Sequence, residues 1–351
     1  MSAFFAAADL ARAVGCPRRV LDLEGGKAGE LARRNGAEVV HVDVAARDPA
    51  AFDLVLMGDA SRASLDRWVP RLSDGGHVLL AAGTPEAAAR MALDAGLEPM
   101  WALRAPRGAV VARRRPAARP QSVTVGMISM NEEKAVGAVI DDIRKNAPGA
   151  EILLVDSSKD RTAEIAEARG ARVVRQLPPR GYGPAMHRLL YEATTDVIVT
   201  MDCDGTYPAA RIAELVELVR SGADLVNATR TRHRPLAMPL ANFLANRTFA
   251  AAAQLLHGLP TTDVHSGMRA YRTSMLRGLT VDPNGAALPV ELIVVPARLG
   301  YHVVELEIPY FERVGATTLN RFDSTKWTFK RLLRARAGAR VRRERWITIS
   351  T

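Results

Sequence analysis

Short apolar runs alternate with helical stretches along most of this 351-residue chain. Residues 19–23 and 197–201 are mostly apolar, and a turn containing glycine or acidic residues follows each run. Parallel strands need long crossover connections, usually helices, and these helices pack on the faces of the sheet. The pattern therefore predicts an α/β fold built on mainly parallel sheets.

The length favours about two domains of ordinary size. A seam lies at 114–121, where arginine and proline residues cluster without apolar periodicity. Clustered arginines repel one another and proline removes backbone donors, so this stretch is typical of a linker. We predict a first domain at 1–113, a basic linker at 114–121, a second domain at 122–320, and a basic C-terminal helix or tail at 321–351.

Composition excludes several classes of protein. The apolar fraction is 48% and the charged fraction 25%, as in ordinary globular chains, which excludes general disorder, collagen and a coiled coil. Cys16 and Cys203 are too few for a disulfide framework and fit a reducing compartment. No apolar run of about 18 residues occurs, and Asp9 and Arg12 interrupt the N-terminal apolar stretch. Neither a membrane span nor a signal peptide is expected, and we predict a cytoplasmic protein.

Positive charge is concentrated near the C-terminus, where residues 321–346 contain ten basic and two acidic residues of a chain with net charge +10. Residues 324–344 are typical of a basic amphipathic helix, which can lie on an anionic membrane surface; a solvated tail is the alternative. Nucleic-acid binding is not expected, because no recognition fold accompanies the charge. The predicted apolar side comprises Phe329, Leu332, Leu333 and Ala337, with Lys326, Lys330, Arg331 and Arg334 largely elsewhere.

The first domain has a glycine-rich turn at 24–29 between a strand and a helix, and Asp43 ends the second strand. Glycines permit close backbone approach to a nucleotide, and an acid at this spacing accepts hydrogen bonds from ribose hydroxyls. With 52–56 and 74–76, these residues resemble a class I S-adenosylmethionine-dependent methyltransferase. Only nine residues separate Asp43 from Asp53, where that family has a further helix, strand and helix. We expect a shortened Rossmann-like module used for packing or dimerisation, with binding of the methyl donor as the alternative.

Asp202 and Asp204 follow the apolar strand at 197–201 in the second domain. Residues two apart in an extended segment point to the same side, so both carboxylates converge at the carboxyl end of the strand, where open α/β sheets bind ligands. Two carboxylates so close repel each other unless a cation lies beside them. A hard divalent ion prefers oxygen ligands. We therefore predict that this aspartate pair binds Mg²⁺ or Mn²⁺ bridging to a diphosphate.

Further polar motifs follow the other strands of this domain: Asn131-Glu132, an acidic cluster at 156–160, and a glycine-rich turn at 180–183. With the aspartate pair they resemble a family-2 glycosyltransferase of the GT-A fold, in the order and spacing of that family. Asp-Val-His-Ser-Gly-Met-Arg at 263–269 is similar to the D-x-x-S-G-F-R segment of dolichol-phosphate mannose synthase and its bacterial polyprenyl-phosphate relatives. The resemblance covers 122 to about 320 and continues through 289–291, 305–309 and 311–315.

The resemblance implies a metal-dependent, inverting transfer of a hexose from a nucleotide-diphosphate sugar such as GDP- or UDP-hexose. It places Asp202 and Asp204 at the metal and diphosphate, with Asp204 also catalytic. It implies that Asp156 and Asp160, beside Asn131 and Glu132, hold the nucleobase and ribose. The remaining candidates are Arg269 and Arg313 at the acceptor's anionic group, Asp263 as a catalytic acid or base, and Gly181, Gly183, Ser266 and Glu291 as substrate-binding residues.

Two departures from the family pattern concern specificity. The cluster at 155–162 is one residue shorter than the usual form, and Thr317-Thr318 stands where this branch has Ser-Lys. The first departure bears on selection of the nucleobase, and the second removes one cation from the expected acceptor site.

The acceptor determines whether the reaction needs a base. A phosphate monoester is largely dianionic at pH 7 and needs only cations to position it. A hydroxyl acceptor needs a carboxylate or histidine within hydrogen-bond reach, and Asp263 and Glu291 keep this alternative open. We predict a polyprenyl (dolichyl-type) phosphate acceptor at the cytosolic membrane face, with a soluble hydroxyl acceptor or a non-catalytic nucleotide-sugar-binding module as alternatives. The sequence does not decide between a monomer and a homo-oligomer.

Several candidate residues also have a structural interpretation. Asp160 can cap the helix that follows it, Arg269 can serve as a structural ion-pair residue, and Glu291 can orient a neighbour. Cys203, between the two aspartates, is expected to point into the core.

Overall fold

The computed structural model describes residues 19–23, 33, 37–41, 51–57, 61–103, 109–114, 122–279, 281–285, 287–315, 321–334 and 346–349. The chain divides into two compact units. The first comprises Met1–Pro120 with Arg277–Thr280, and the second Gln121–Leu276 with Val281–Thr351. The predicted linker spans this boundary in the sequence, and its residues 115–121 lie outside the described part of the chain.

The first unit contains a six-stranded sheet. In the order β2-β1-β3-β4-β6-β5, strands β2, β1, β3 and β4 are parallel, and β6 and β5 form an antiparallel hairpin. Two described helices begin at hydroxyl caps, Ser61 and Thr84, whose side chains each accept a backbone N–H. The elements are β1 (Arg19–Asp22), β2 (Glu38–His41), β3 (Phe52–Met57), α1 (Arg62–Trp68), β4 (Leu72–Ala81), α2 (Pro85–Asp94), β5 (Leu97–Leu103) and β6 (Ala109–Arg114).

The apolar runs at 19–23, 39–42, 52–57 and 77–82 predict the four parallel strands. The observed bounds agree within one residue, except that β4 begins at Leu72. β2 is an edge strand, and β3 pairs with the opposite side of β1. This arrangement is consistent with a shortened Rossmann-like module. The glycine-rich turn at 24–29 and Asp43 lie outside the described residues, so binding of a methyl donor stays an alternative.

The second unit contains an eight-stranded sheet in the order β14-β13-β11-β12-β10-β7-β8-β9. All neighbouring pairs are parallel except those of β12, which runs antiparallel to both β10 and β11. The strands are β7 (Val123–Ser129), β8 (Glu151–Asp156), β9 (Arg172–Arg175), β10 (Val197–Thr200), β11 (Leu225–Thr229), β12 (Arg269–Arg272), β13 (Val303–Glu307) and β14 (Trp346–Ile349).

The described helices of the second unit cover the sheet and bury their apolar positions. On one of them Ile212, Leu215, Val216 and Val219 are all buried, the three- and four-residue spacing of one helix face. The helices are α3 (Val136–Asn146), α4 (Thr162–Ala168), α5 (Tyr182–Glu192), α6 (Ile212–Arg220), α7 (Leu240–His257), α8 (Thr273–Gly278), α9 (Leu288–Leu299) and α10 (Arg321–Arg334). In the described part of the chain, none is long and apolar enough to span a bilayer.

The C-terminal region differs from the predicted helix or tail. Helix α10 begins at Arg321, three residues before the expected start, and 335–345 lie outside the described residues. Trp346–Ile349 then form β14, which pairs in parallel with β13. Because the sequence before Trp-Ile-Thr-Ile is strongly basic, the whole region was predicted as a helix or tail, and this short strand was not predicted.

One edge of the second sheet gathers the candidate residues. Because β7, β8, β10, β11 and β13 run in the same direction, their carboxyl ends lie along this edge. Antiparallel β12 contributes its amino end there, with Arg269 opposite Thr200 of β10. The loops after five strands and the loop before one strand therefore meet at one place.

Candidate active site

The aspartate pair lies in the loop after β10. Asp204 is buried and accepts hydrogen bonds from Thr206, from the backbone N–H at 3.1 Å and from the hydroxyl at 2.6 Å. Asp202 is partly exposed and lies against Gly267, where a Cβ atom would approach Asp202 Oδ1 to 2.8 Å. Among the described residues, none donates a hydrogen bond to the Asp202 carboxylate. Glycine at 267 therefore leaves room for a carboxylate that faces the site.

Burial and the nearby charge of Asp204 raise the pKa of Asp202 to about 7, against the opposing effect of Arg230 and Arg313. Such a carboxylate gains stability from an additional cation. Two carboxylates are hard oxygen donors and fit Mg²⁺ or Mn²⁺. Across the described ranges, no group of three or more His, Cys, Asp or Glu is arranged to hold a metal. A cation held by this pair would therefore also need oxygen ligands from a bound diphosphate or water.

Arg313 bridges the aspartate pair and the loop after β7. Its guanidinium lies 3.0 Å from Asp204 Oδ2 and forms a second ion pair with Glu132. The backbone fixes this position, since Val314 N–H donates to the carbonyl of Asp204 and Phe311 N–H to that of Thr206, both at 3.0 Å. The segment 311–315 is thus fastened across the aspartate loop.

The loops after β7 and β8 are joined by hydrogen bonds. Asn131, whose φ of 61° is left-handed, accepts from the backbone of Lys159 at 3.0 Å and donates its own N–H to Ser158 at 2.8 Å. The Glu132 backbone donates to the Thr162 hydroxyl at 2.9 Å. Burial foremost raises the pKa of the Glu132 carboxyl, although Arg313 acts in the opposite direction. Exposed Asn131 and half-buried Glu132 thus face the same rim.

Asp156 lies beneath these loops and is fully buried. Its carboxylate accepts from Ser129 at 2.6 Å, from the Ser158 hydroxyl at 2.5 Å and from the Arg175 guanidinium at 2.6 Å. Both oxygens are therefore engaged by the protein. In this geometry Asp156 positions the loop, and its predicted contact with the nucleobase stays a prediction.

Asp160 is partly exposed at the start of α4. It accepts from the Thr162 backbone at 3.0 Å and from Glu133 N–H at 3.3 Å, and it also binds the Thr162 hydroxyl. Burial works to raise the pKa of Asp160, but these hydrogen bonds outweigh it and lower the pKa. The N-cap residue of α4 is Arg161, and Asp160 precedes it by one position. Asp160 nevertheless accepts the backbone N–H of Thr162, the first residue of the helix.

The two predicted glycines at the start of α5 differ in environment: Gly181 is the N-cap residue, and Gly183 is the second residue of the helix. Gly181 has a left-handed φ of 91° and open space where a Cβ atom would lie. Gly183 is buried, and a Cβ atom there would lie 2.2 Å from the carbonyl oxygen of Pro283 and 2.3 Å from that of Gly285. Gly183 therefore permits backbone packing, whereas Gly181 lies on the exposed rim.

Asp263 is fully buried in a bidentate ion pair with Arg230, with N–O distances of 2.7 and 3.1 Å. Burial raises the pKa of Asp263, but the charge of Arg230 outweighs it and lowers the pKa. The Arg230 guanidinium also lies 5.5 Å from the ring centre of Tyr207 and 5.2 Å from that of Tyr310. Asp263 is thus held ionised by a structural partner. Arg230 was not among the predicted residues, and its only signal in the sequence is its place directly after β11.

Arg269 and Ser266 are enclosed by the fold. Arg269 is 1% exposed and donates to Asn227 Oδ1 at 2.8 Å and to two backbone carbonyls, of Pro289 at 2.6 Å and Val264 at 2.9 Å. The Ser266 hydroxyl donates to the carbonyl of Ala228 at 2.5 Å. The structure does not bring either side chain to the aspartate pair, and it favours the structural interpretation of Arg269.

Glu291 is also engaged by neighbouring residues of the fold. It accepts from the backbone of Asp282 at 2.7 Å and pairs with Arg331 at 2.5 Å. Arg331 was expected on the polar side of a surface helix, but it is 1% exposed and also pairs with Asp282 at 2.9 Å. These acceptors explain how an arginine on α10 can be buried.

The structure thus brings together part of the predicted set. Arg313 contacts both Asp204 and Glu132, and Asp202 lies close enough to Asp204 and Arg313 for their charges to shift its pKa. Asn131 and Asp160 lie on the adjoining loops. Cys203 is 2% exposed and points into the core, as predicted.

The fold and this site define an α/β enzyme whose polar loops lie at the carboxyl edge of a largely parallel sheet. The model of glycosyl transferase family 2 matches residues 124–280. The dolichyl-phosphate hexose transferase of Haloferax volcanii is 40% identical over 201 residues, 57% of this chain and 87% of that protein. The undecaprenyl-phosphate mannosyltransferase of Micrococcus luteus is 32% identical over 200 residues, 52% of this chain and 81% of that protein.

Solved structures agree in fold. Glucosyl-3-phosphoglycerate synthase of Mycobacterium tuberculosis matches with a TM-score of 0.51 and 25% identity, over 63% of this chain and 82% of that chain. Mannosyl-3-phosphoglycerate synthase of Rubrobacter xylanophilus matches with a TM-score of 0.51 and 21% identity, over 62% and 74%. The chain belongs to glycosyl transferase family 2, has a GT-A-like fold, and is a glycosyltransferase.

Proposed function

We propose that this protein transfers a hexose from a nucleoside-diphosphate sugar to a polyprenyl phosphate, with inversion at the anomeric carbon and with Mg²⁺ or Mn²⁺. The observation that carries the proposal is the convergence of Asp202, Asp204 and Arg313 at the sheet edge. Two carboxylates able to hold a divalent cation, with an arginine beside them, suit a reaction in which a diphosphate departs.

Different residues of the site bind the cation, the diphosphate and the nucleoside of the donor. Asp202 and Asp204 would hold the cation, which when bound offsets negative charge on the leaving diphosphate. Arg313 was predicted at the acceptor's anionic group, but because it pairs with Asp204 we assign it to the diphosphate instead. There it supplies a second positive charge, on a segment whose backbone is fixed to the aspartate loop at 3.0 Å. Asn131, Glu132 and Asp160 lie on the adjoining loops, and we assign the nucleoside end of the donor to them. Fixed charges of this kind usually provide the largest part of catalysis.

The state of the candidate bases supports a phosphate acceptor. A hydroxyl acceptor needs a carboxylate free to take its proton. Asp263 is bound to Arg230 in two contacts, and Glu291 is bound to Arg331. A phosphate monoester needs no such base, because it is already largely dianionic at pH 7. The names of the Haloferax and Micrococcus relatives, dolichyl-phosphate and undecaprenyl-phosphate transferases, agree with this choice.

The acceptor would be embedded in a membrane through its prenyl chain, so we place the reaction at the cytosolic membrane surface. We propose a GDP- or UDP-hexose as donor. The shape of the pocket selects the sugar and the nucleobase among these donors.

Incubation with labelled nucleotide sugars tests the proposal. Purified protein is mixed with each GDP- or UDP-hexose, Mn²⁺ and either a polyprenyl phosphate or an aqueous extract, and the organic phase is counted. We expect label in the organic phase, and at least a hundredfold less with Asp204→Asn, because an uncompensated charge on the leaving group costs several kcal/mol. Asp141→Asn, on the exposed side of α3, is the matched control. Label confined to aqueous products would support a soluble hydroxyl acceptor, and no transfer with any donor would contradict the proposal.

A further inference from the structure

The outer face of helix α7 is apolar although it is exposed. Leu240, Leu244 and Leu255 are 51%, 54% and 76% exposed. Together with exposed Ala251 they recur at intervals of four, seven and four residues, which places them on one side of a helix. Leu236, just before the helix, is 101% exposed.

The opposite face of α7 already accounts for its packing in the fold. Phe249, Ala250, Ala253 and His257 are buried there. A helix that is apolar on both faces is usually covered on both. The outer leucines therefore indicate a surface that becomes buried when the protein binds a partner or a membrane.

Helix α10 packs against α7 and exposes two further apolar side chains. Phe329 is 40% exposed and Leu333 is 51% exposed, one helical turn apart. The two helices are in contact, because the Phe329 ring lies 5.4 Å from that of Phe249 on α7. We call Leu236, Leu240, Leu244 and Leu255 the leucine face.

The charge around the leucine face is positive. The sequence contains no acidic residue from 225 to 262. Arg234 and Arg247 are exposed on the α7 side, and Lys326 and Lys330 are exposed on α10. Apolar anchors flanked by Lys and Arg are typical of helices that lie in the interface of an anionic bilayer.

We propose that the leucine face docks this protein onto an anionic lipid bilayer. A second copy of the chain is a poorer occupant, since a twofold interface would place one basic rim against another. The surface also begins close to the active site along the chain, because residues 231–235 alone separate Arg230 from Leu236. Docking here would hold the site near the lipid headgroups. The proposal rests on exposure and charge and does not depend on the identity of the acceptor.

Vesicle sedimentation tests the docking surface with the full-length protein. Vesicles of phosphatidylcholine alone are compared with vesicles that also contain phosphatidylglycerol. We expect binding to the anionic vesicles that weakens at high salt, because surface charge is screened. Replacing Leu236, Leu240 and Leu244 together with serine should weaken the binding about tenfold or more, because three apolar anchors are lost. Arg234→Gln with Arg247→Gln should weaken binding to the anionic vesicles only.

Leu177→Ser is the matched control, since Leu177 is 54% exposed, as is Leu244, but lies outside the leucine face. It should bind the vesicles as the wild type does. Circular dichroism melting checks that every variant is folded. A wild type that binds neither kind of vesicle, or a triple serine variant that binds normally, would overturn the proposal. A leucine-dependent dimer in sedimentation velocity without vesicle binding would assign the face to a second copy instead.

A transfer assay in detergent separates this proposal from the proposed function. The triple serine variant should keep its activity on detergent-dispersed acceptor and lose it on acceptor in vesicles. If the wild-type protein binds vesicles but transfers no hexose in either format, the proposed function is contradicted and the docking surface is not.

Discussion

At the scale of single residues, Arg313 occupies the position of a counter-ion for the aspartate loop. Its guanidinium lies 3.0 Å from Asp204 Oδ2 and pairs with Glu132. A cation that binds Asp204 would compete with this guanidinium for the same oxygen.

We therefore expect Arg313→Gln to have opposite effects on metal binding and catalysis. The nucleotide-free variant should bind Mn²⁺ about tenfold more tightly, which corresponds to removing a competing interaction of about 1.4 kcal/mol. Transfer activity should fall, because positive charge at the leaving diphosphate is lost. Calorimetric titration with Mn²⁺ measures the first effect, and Arg188→Gln on the exposed side of α5 is the control. Weaker Mn²⁺ binding by Arg313→Gln would show that the guanidinium does not compete.

Glu305 is a buried carboxyl, 1% exposed, and it accepts hydrogen bonds from Thr261, Thr262 and Asn227. Burial outweighs these donors and raises the pKa of Glu305 from 4.5 to about 7. The folded state therefore binds the proton more tightly than the unfolded state. This contribution to stability is full below pH 4.5 and is lost as the pH rises through 7.

We expect Glu305→Gln to flatten this dependence. Between pH 5 and 7 the free energy of unfolding of the variant should improve relative to the wild type by roughly 2 kcal/mol, at about 1.4 kcal/mol per pH unit. Urea denaturation at several pH values measures the difference. A constant difference across this range would mean that Glu305 does not titrate there.

Residue types and spacing predict that the aspartate pair and Arg313 lie close together, because strand direction brings the ends of β10 and β13 to one edge. The chemical roles of these residues stay predictions. Residue types and spacing do not predict the structural partners of Arg269, Ser266, Asp263 and Glu291. Whether a side chain faces a cleft or the core depends on partners distant in the sequence, such as Asn227 for Arg269. Arg230 was missed for the same reason, since its partner Asp263 lies 33 positions further along the chain.

At the scale of elements, the start of α5 contains two glycines whose replacement should have unequal costs. Gly181→Ala meets open space but a left-handed φ of 91°, so we expect a cost of about 1 kcal/mol. Gly183→Ala places a methyl group 2.2 Å from the carbonyl oxygen of Pro283, and backbone cannot rotate away as a flexible side chain can. We expect a cost of about 3 kcal/mol or more, the upper range for overpacking.

Equilibrium unfolding in urea compares the two variants directly. Each serves as the other's control, because they lie two positions apart at the start of the same helix. Equal costs would indicate that the loop at 283–285 moves aside without resistance. A larger cost for Gly181→Ala would contradict the description of these two positions.

Elements were more predictable than side chains. The apolar runs at 122–129, 151–155 and 197–201 predict β7, β8 and β10 to within one residue at each end. Two elements of the C-terminal region were not predicted correctly. β14 is short and follows a strongly basic stretch, and the buried face of α10 carries Arg331, which a hydropathy pattern assigns to solvent.

At the scale of the whole molecule, ligand-induced stabilisation distinguishes the activities predicted for the two units. A ligand that binds only the folded protein stabilises it by about 2.7 kcal/mol at a hundred times its Kd. We expect GDP or UDP with Mn²⁺ to raise the Tm by several degrees, and neither nucleotide to do so after removal of the metal with a chelator. A thermal-shift panel measures this.

S-adenosylmethionine belongs in the same panel. We expect no shift with it, because the first unit is interpreted as a shortened Rossmann-like module used for packing. A rise in Tm with S-adenosylmethionine would support the alternative that the first unit binds the methyl donor. A nucleotide shift that is equal with and without Mn²⁺ would contradict a metal held by Asp202 and Asp204.

Strand β12 reverses the usual rule for locating ligands in a sheet of this kind. Its neighbours β10 and β11 reach the ligand edge with their carboxyl ends, whereas β12 reaches that edge with its amino end. Gly267, two positions upstream of β12, accordingly lies against Asp202. Motif searches in related chains should therefore look ahead of this one strand, and natural variation in specificity should concentrate upstream of it.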